Sequence, residues 1–361
     1  MSDKNLTLDQ VRQRIDELDT QLQKLIDERA ACAKEVGRIK GHGDGVIYYR
    51  PEREAQILRR VKERSKGDMP ATDMVRIFRE IMSSCLALEQ QLTVAFLGPE
   101  GSFTQEAAIK HFGQAACLLP QKNLNDVFRE VEVQNASYGV VAVENSTEGS
   151  VNHTLDMLAN TNLKVCGEVE LRIHHNLLSH EEELSTVKVV YAHQQALAQC
   201  RSWLSDHLKD VQQHAVNSNA EAARRAKEEK GAAAIAGTYA AELYEHNILA
   251  ANIEDNVSNK TRFLVVGQEF PPSSGRDKTS LLIVTGNQPG ALYRVLHPLS
   301  EHGLSMSKIE SRPSKKEAWE YVFFIDIEGH VDDEAVGNAL KALEAEAHMV
   351  KVLGSYPKAV I

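Results

Sequence analysis

Between Leu6 and Lys40 apolar residues recur at Val11, Ile15, Leu18, Leu22 and Leu25, in alternating steps of four and three. That spacing draws one stripe along a helix about 50 Å long. Two short neighbours cannot cover so long a stripe, so a second chain is expected against it. Continuing the steps puts Arg29 where an apolar residue is due. Lys40 follows close to three turns later and projects from nearly the same face, roughly 16 Å away, whereas Arg12 is turned aside by about a quarter turn and is expected to reach a different neighbour. Beyond the glycine-rich Gly41-His42-Gly43-Asp44-Gly45, Pro51 opens a second helix carrying Arg53, Glu54, Ile57, Leu58 and Val61. A third runs from about Pro70 to Leu92, with Phe78, Met82, Cys85, Glu89 and Leu92 on its stripe. An acid interrupts the apolar row there.

After Leu92 the period changes. Short apolar runs at Thr93–Leu97, Tyr138–Val143, Val187–Tyr191 and Ala232–Ile235 each end in a polar turn and lead into a helical stretch. Repeated strand, turn and helix units predict a parallel or mixed sheet with ligands at the carboxyl ends of its strands. The polar collar Ser258-Asn259-Lys260-Thr261-Arg262 then introduces the apolar strand that starts at Phe263. Pro271-Pro272-Ser273-Ser274-Gly275-Arg276-Asp277 reads as a linker, 271–278. The last segment reads as strand 279–284, helix 290–302, strand 305–311, strand 318–327, helix 332–347 and strand 350–356, the order of a ferredoxin-like α+β sandwich. The fold is therefore expected to be multidomain: all-α over 1–92, α/β over 93–270, and α+β over 279–361.

A length of 361 residues agrees with two or three cores. A net charge of -10 disfavours nucleic acid and anionic membrane as partners, so an anionic substrate has to be met by local cations. The five cysteines form no Cys-x-x-Cys pair and are too sparse for a disulfide scaffold. Reduced thiols and a cytoplasmic setting are expected, with neither export nor membrane insertion.

Arg29 and Glu89 sit on apolar stripes, where an unpaired charge is costly. A buried pocket lined by several cations and one acid suits a small dianion. From Arg12 to about Gln91 the chain resembles the all-helical chorismate mutase family, in Arg12, Arg29, Val36-Gly37-Arg38-Ile39-Lys40, Arg53-Glu54 and Glu89. The resemblance implies an intertwined dimer that rearranges chorismate to prephenate. Arg12 would enter the partner's pocket, Arg29 and Arg53 would hold the two carboxylates, and Lys40 and Glu89 would face the breaking ether oxygen. Glu54, Cys85 and Ser84 are expected substrate contacts; some relatives place a serine at the position of Cys85. A glutamate donates a hydrogen bond only when protonated, so Glu89 is expected to favour the reaction at mildly acid pH.

Gly98-Pro99-Glu100-Gly101-Ser102-Phe103-Thr104, Val143-Glu144-Asn145-Ser146, Leu171-Arg172-Ile173-His174-His175 and Thr261-Arg262-Phe263 occur in the order seen in prephenate dehydratases. Residues 93–270 resemble that family, whose two lobes about a cleft are similar to periplasmic binding proteins, and the resemblance implies a two-lobed α/β unit whose second lobe interrupts the first at about 172–248. The resemblance makes Thr261 the proton donor to the departing hydroxide. It makes Ser102, Thr104, Asn145, Gln199, Arg262 and Phe263 substrate contacts, while His174 and His175 read as ordinary structural histidines. The C-terminal segment resembles the ACT regulatory domain, with Gly290-Ala291-Leu292 and Glu310-Ser311-Arg312-Pro313 as its phenylalanine-binding motifs. Together these imply chorismate and prephenate as substrates, L-phenylalanine as effector, a homodimer or larger homo-oligomer, and no cofactor or metal. Two other readings are a non-catalytic amino-acid sensor and an enzyme whose mutase segment is mainly regulatory. A fused dehydrogenase needs a dinucleotide fingerprint, and Gly41–Gly45 neither follows a strand nor has its spacing.

Overall fold

Thr7 starts the first helix, α1 (Leu8–Lys40), by a reciprocal cap: its hydroxyl accepts from Gln10 N at 3.3 Å while the Gln10 side chain accepts from Thr7 N at 3.0 Å. This computed structural model describes residues 7–41, 48–286, 288–313 and 321–360. The glycine-rich stretch at 42–45, the N-terminal residues 1–5 and the start of the expected strand at 318–320 lie outside the described residues. Pro51 opens α2 (Pro51–Arg64), and α3 (Ala71–Glu89) packs on both other helices around Leu58, Val61, Val75 and Met82. The stripe of α1 finds no cover among the described residues. Val11, Ile15, Leu18, Leu22 and Leu25 are between 39% and 61% exposed.

The two lobes appear as two sheets. The first runs Lys164–Arg172, Lys260–Gly267, Tyr138–Asn145, Thr93–Leu97 and Cys117–Gln121, with Lys260–Gly267 antiparallel between its neighbours. The second runs Asn247–Ala250, Asn176–Ser179, Ala232–Ala236, Val189–His193 and Gln212–Val216. Arg172 still belongs to the first sheet and Ala250 to the second, so the crossings sit slightly later than the resemblance implied. Among the described residues no helix is long and apolar enough to cross a membrane.

The C-terminal segment forms Asp277–Thr285, helix Ala291–Glu301, Met306–Pro313, Tyr321–Glu328, helix Glu334–Glu346 and Met349–Pro357, the ferredoxin-like order expected. Its four strands extend the first sheet instead of forming a separate one, because Met349–Pro357 lies parallel to Lys164–Arg172 at Gly354 and Val165. A side chain at Gly354 would overlap the Val165 carbonyl, so the join depends on glycine. Val165, Leu264, Leu282, Phe324, Leu353 and Tyr356 share one core across it.

The expected linker is likewise fixed. The Asp277 carboxylate accepts from the Ser274 and Gly275 N–H groups at 2.9 and 3.0 Å and from both serine hydroxyls. Arg59 of α2 donates to the Ser274 and Arg276 carbonyls at 3.1 and 2.7 Å. Composition suggested a flexible spacer, but one buried carboxylate turns it into a hydrogen-bonded corner.

Candidate active sites

Folding of the three helices gathers Arg29, Lys40, Arg53, Glu54, Cys85 and Glu89 around one pocket of about 300 Å³. Lys40 Nζ lies 3.1 Å from Glu89 Oε2 and donates to the Tyr48 carbonyl at 3.3 Å. Glu54 is half-buried, with Arg79 Nε 3.7 Å from its Oε1. Burial pushes the Glu54 carboxyl up to about 7, against the opposing pull of Arg79. Ser84 does not line this pocket, and Arg12, expected to serve a partner's pocket, lies away from its own. Ser84 is exposed on the other side of α3, one helical step from buried Cys85. Arg12 is exposed near the far end of α1 and pairs with Asp9 at 3.9 Å.

Between the lobes lies a cleft of about 570 Å³ lined by Ser102, Thr104, Asn145, Gln199 and Thr261. Ser102 caps helix Phe103–Phe112 by accepting from Gln105 N at 3.3 Å. Thr261 and Asn145 face each other across paired strands, and Asn145 Nδ2 donates to Thr261 Oγ1 at 2.9 Å. The same nitrogen donates to Asn259 Oδ1 at 2.8 Å. Asn259 Nδ2 donates in turn to Gln199 Oε1 at 3.2 Å, and Gln199 Nε2 to Glu148 Oε1 at 3.3 Å. Among the described residues neither arginine nor lysine lines this cleft, and Glu148 does. An anion there meets amides, hydroxyls and the starts of helices, groups that solvate carboxylates, with Glu148 as the one carboxylate among the described lining residues.

The expected contacts from Arg262 and Phe263 need correction. Successive residues of a strand point to opposite faces, so Thr261 in the cleft sends Arg262 the other way. There Arg262 binds Glu168 at 2.9 Å, Asp326 at 2.5 Å and the Tyr356 hydroxyl at 2.9 Å. Lys278 joins Glu168 at 2.8 Å, so the node ties the first sheet to the C-terminal module. Phe263 is 1% exposed and packs in the core with Val140 and Val169.

Strand Met306–Pro313 lies against the same lobe. Ser150 of the cleft donates to Glu310 at 2.9 Å, Arg312 pairs with Asp156 at 2.9 Å, and Lys308 pairs with Glu144 at 2.9 Å. Gly290 starts helix Ala291–Glu301 in the left-handed region with φ 78°, which a glycine adopts without cost. Leu292 is exposed and Ser311 faces solvent. Among the described residues no hydrogen bond or ion pair joins 290–292 to 310–312 within the chain.

Family profiles for chorismate mutase type II, prephenate dehydratase and the ACT domain match residues 11–90, 94–271 and 279–345. A bifunctional chorismate mutase/prephenate dehydratase of Pseudomonas aeruginosa is 50% identical over 97% of this chain and 98% of its own. The chain belongs to the bifunctional chorismate mutase/prephenate dehydratase family. The family member of Aquifex aeolicus is 46% identical over 98% of this chain and 99% of its own. Among solved structures, prephenate dehydratase of Arthrobacter aurescens in complex with L-Phe superposes with a TM-score of 0.68 at 34% identity, covering 74% of this chain and 90% of that one.

Sequence reasoning missed two residues of this family member. Asn259 is two positions from Thr261 and joins Asn145 to Gln199; only the polar collar around it gave a signal. Arg79 braces Glu54 from α3, and no periodicity distinguishes it from the other arginines of that helix.

Proposed function

We propose that the helical pocket rearranges chorismate to prephenate, and that the cleft converts prephenate to phenylpyruvate under feedback by L-phenylalanine. The carrying observation is Thr261: a hydroxyl in a polar cleft that no arginine or lysine lines among the described residues, held by Asn145 at 2.9 Å. The bond from the ring carbon to its carboxylate breaks and carbon dioxide leaves. That electron pair completes the aromatic ring, and the ring hydroxyl departs with the Thr261 proton as water. Solvent then reprotonates Thr261. Aromatisation drives the step, so a positioned donor suffices.

In the pocket the reaction is unimolecular, and catalysis consists of holding the compact conformer and stabilising charge on the ether oxygen. Arg29 and Arg53 hold the two carboxylates, with Lys40 and Glu89 beside the oxygen, a reading supported by their sharing one pocket. Arg12 completes a second copy's pocket in a cytoplasmic homodimer, a reading supported by the uncovered stripe of α1. Phenylalanine binds Gly290-Ala291-Leu292 of one module and Glu310-Ser311-Arg312 of another, which fits the absence of a bond between the two motifs among the described residues.

The test supplies chorismate, then prephenate, and follows phenylpyruvate with and without phenylalanine, using wild type and Thr261→Ala. Thr261→Ala loses about 10²–10⁴ in dehydratase kcat, the range for a lost proton donor, and keeps mutase activity. Undiminished dehydratase turnover would overturn the assignment.

A further inference from the structure

The cleft network has a direction that its own atoms dictate. Asn145 Oδ1 accepts from the backbone N–H groups of Thr147 and Glu148 at 2.9 and 3.0 Å. Backbone N–H groups only donate, so the Asn145 amide cannot be reversed. Its nitrogen must face Thr261 and Asn259, and both of its N–H bonds are spent there. Thr261 Oγ1 is therefore an acceptor on that side, and its own proton remains for the cleft. Among the described residues that hydroxyl donates to no protein acceptor. Asn259 Oδ1 is likewise an acceptor, which leaves Asn259 Nδ2 to donate to Gln199 Oε1.

The far end of the chain is His175. Its Nε2 lies 2.9 Å from the same Gln199 oxygen. An oxygen already accepting from Asn259 can only accept again, so Nε2 must carry the hydrogen. We infer that His175 is a positioning residue of the dehydratase site: as the neutral Nε2–H tautomer it fixes the Gln199 amide, and through Asn259 and Asn145 it keeps the Thr261 proton directed into the cleft.

A second observation supports this. His175 is 3% exposed, and its Nδ1 is buried with no hydrogen-bond partner. A proton on Nδ1 would be a buried donor without an acceptor, which is costly. The opposite tautomer would turn a lone pair toward Gln199, flip that amide and set two donors against each other at Asn259. The charged groups facing the ring do not relieve the orphan nitrogen. Glu254 is occupied by the His175 backbone N–H at 2.9 Å and by the His174 ring at 2.8 Å. Glu148 reaches only Gln199, and Phe103 covers the ring edge-on at 5.7 Å. Burial lowers the imidazole's proton affinity below that of a free histidine, against the opposing pull of Gln199 and Glu254, which favours the neutral ring.

This inference rests on the dehydratase reading of the cleft, and the experiment separates the two. Full-length His175→Leu, His175→Gln and Thr261→Ala are assayed on prephenate, with mutase activity in the same molecule as the folding control. His175→Leu lowers dehydratase kcat by about tenfold to a hundredfold, the range for a misdirected proton donor, with KM within about twofold. His175→Gln keeps a side-chain N–H donor and recovers most of that loss. Spectra of ¹⁵N-histidine-labelled wild type at mildly alkaline pH show one imidazole protonated at Nε2 and bare at Nδ1, a signal that His175→Gln removes. Wild-type kcat in His175→Leu, or an Nδ1–H tautomer, overturns the inference. If His175→Leu also loses mutase activity, the tautomer spectrum alone decides. Retained dehydratase activity in Thr261→Ala sinks the parent reading instead.

Discussion

Glu54 is the residue whose charge state the fold changes most usefully. Its carboxyl, pushed up to about 7 by burial, is largely neutral in mild acid and ionised above neutrality. An ionised Glu54 repels a dianionic substrate. The KM of the mutase reaction should therefore rise by roughly tenfold as pH passes through about 7, an effect of ~1.4 kcal/mol. Glu54→Gln should hold KM low and flat across that range, as steady-state rates at several pH values would reveal. The sign for stability agrees. A raised carboxyl favours the folded chain fully below its unfolded value, and that contribution is lost as pH rises through about 7. The acid dependence expected from Glu89 thus acquires a second source. Glu89 is itself held by Lys40 at 3.1 Å, so a profile flattened by Glu89→Gln but not by Glu54→Gln would return the effect to Glu89.

Strand Lys260–Gly267 serves both the cleft and the C-terminal module by strand alternation. One face presents Thr261 to the cleft; the other presents Arg262 to Glu168 and Asp326. The node is largely buried, and Arg262 is held charged there despite desolvation by Tyr356, Asp326 and Glu168. Asp326→Asn leaves Arg262 and Lys278 sharing Glu168 alone. Breaking a buried pair in this way costs on the order of 3 kcal/mol, and the melting temperature should drop by several degrees in calorimetry. An unchanged melting temperature would mean that the node adds nothing net. Met306–Pro313 supplies a second set of ties through Ser150, Asp156 and Glu144. A ligand gripping Glu310 or Arg312 would compete with bonds that reach the cleft lining, a direct route from effector to Ser150.

At the scale of the molecule, α1 is an unfinished element. Its stripe of exposed Val11, Ile15, Leu18, Leu22 and Leu25 is too long for scattered surface apolar residues and carries the heptad-like steps of a paired helix. The double substitution Leu18→Glu with Leu22→Glu should therefore yield monomers in sedimentation velocity. It should also cost at least about tenfold in mutase kcat/KM by removing the partner's Arg12, while the dehydratase, whose cleft lies within one chain, keeps most of its rate. Monomers with full mutase activity would remove Arg12 from the pocket.

Local pattern was enough for the elements. The steps of four and three, Pro51, the Ser102 turn and the βαββαβ order were legible because helix and strand periods are properties of neighbouring residues. The charged residues Arg29 and Glu89 were legible for the same reason, since a charge on an apolar stripe stands out against its own helix. Directions and partners were not. Whether Arg262 faced the cleft depended on strand alternation relative to Thr261, and whether His175 mattered depended on Gln199 and Asn259, brought from distant segments. The proline-serine corner looked flexible until Asp277 collected its N–H groups, and the C-terminal module looked separate until Gly354 met Val165. The sequence by itself determined which segments fold and which chemistry each carries. Only the tertiary structure decided which side chains meet, because a hydrogen bond's partner and polarity are set by atoms that the chain order leaves far apart.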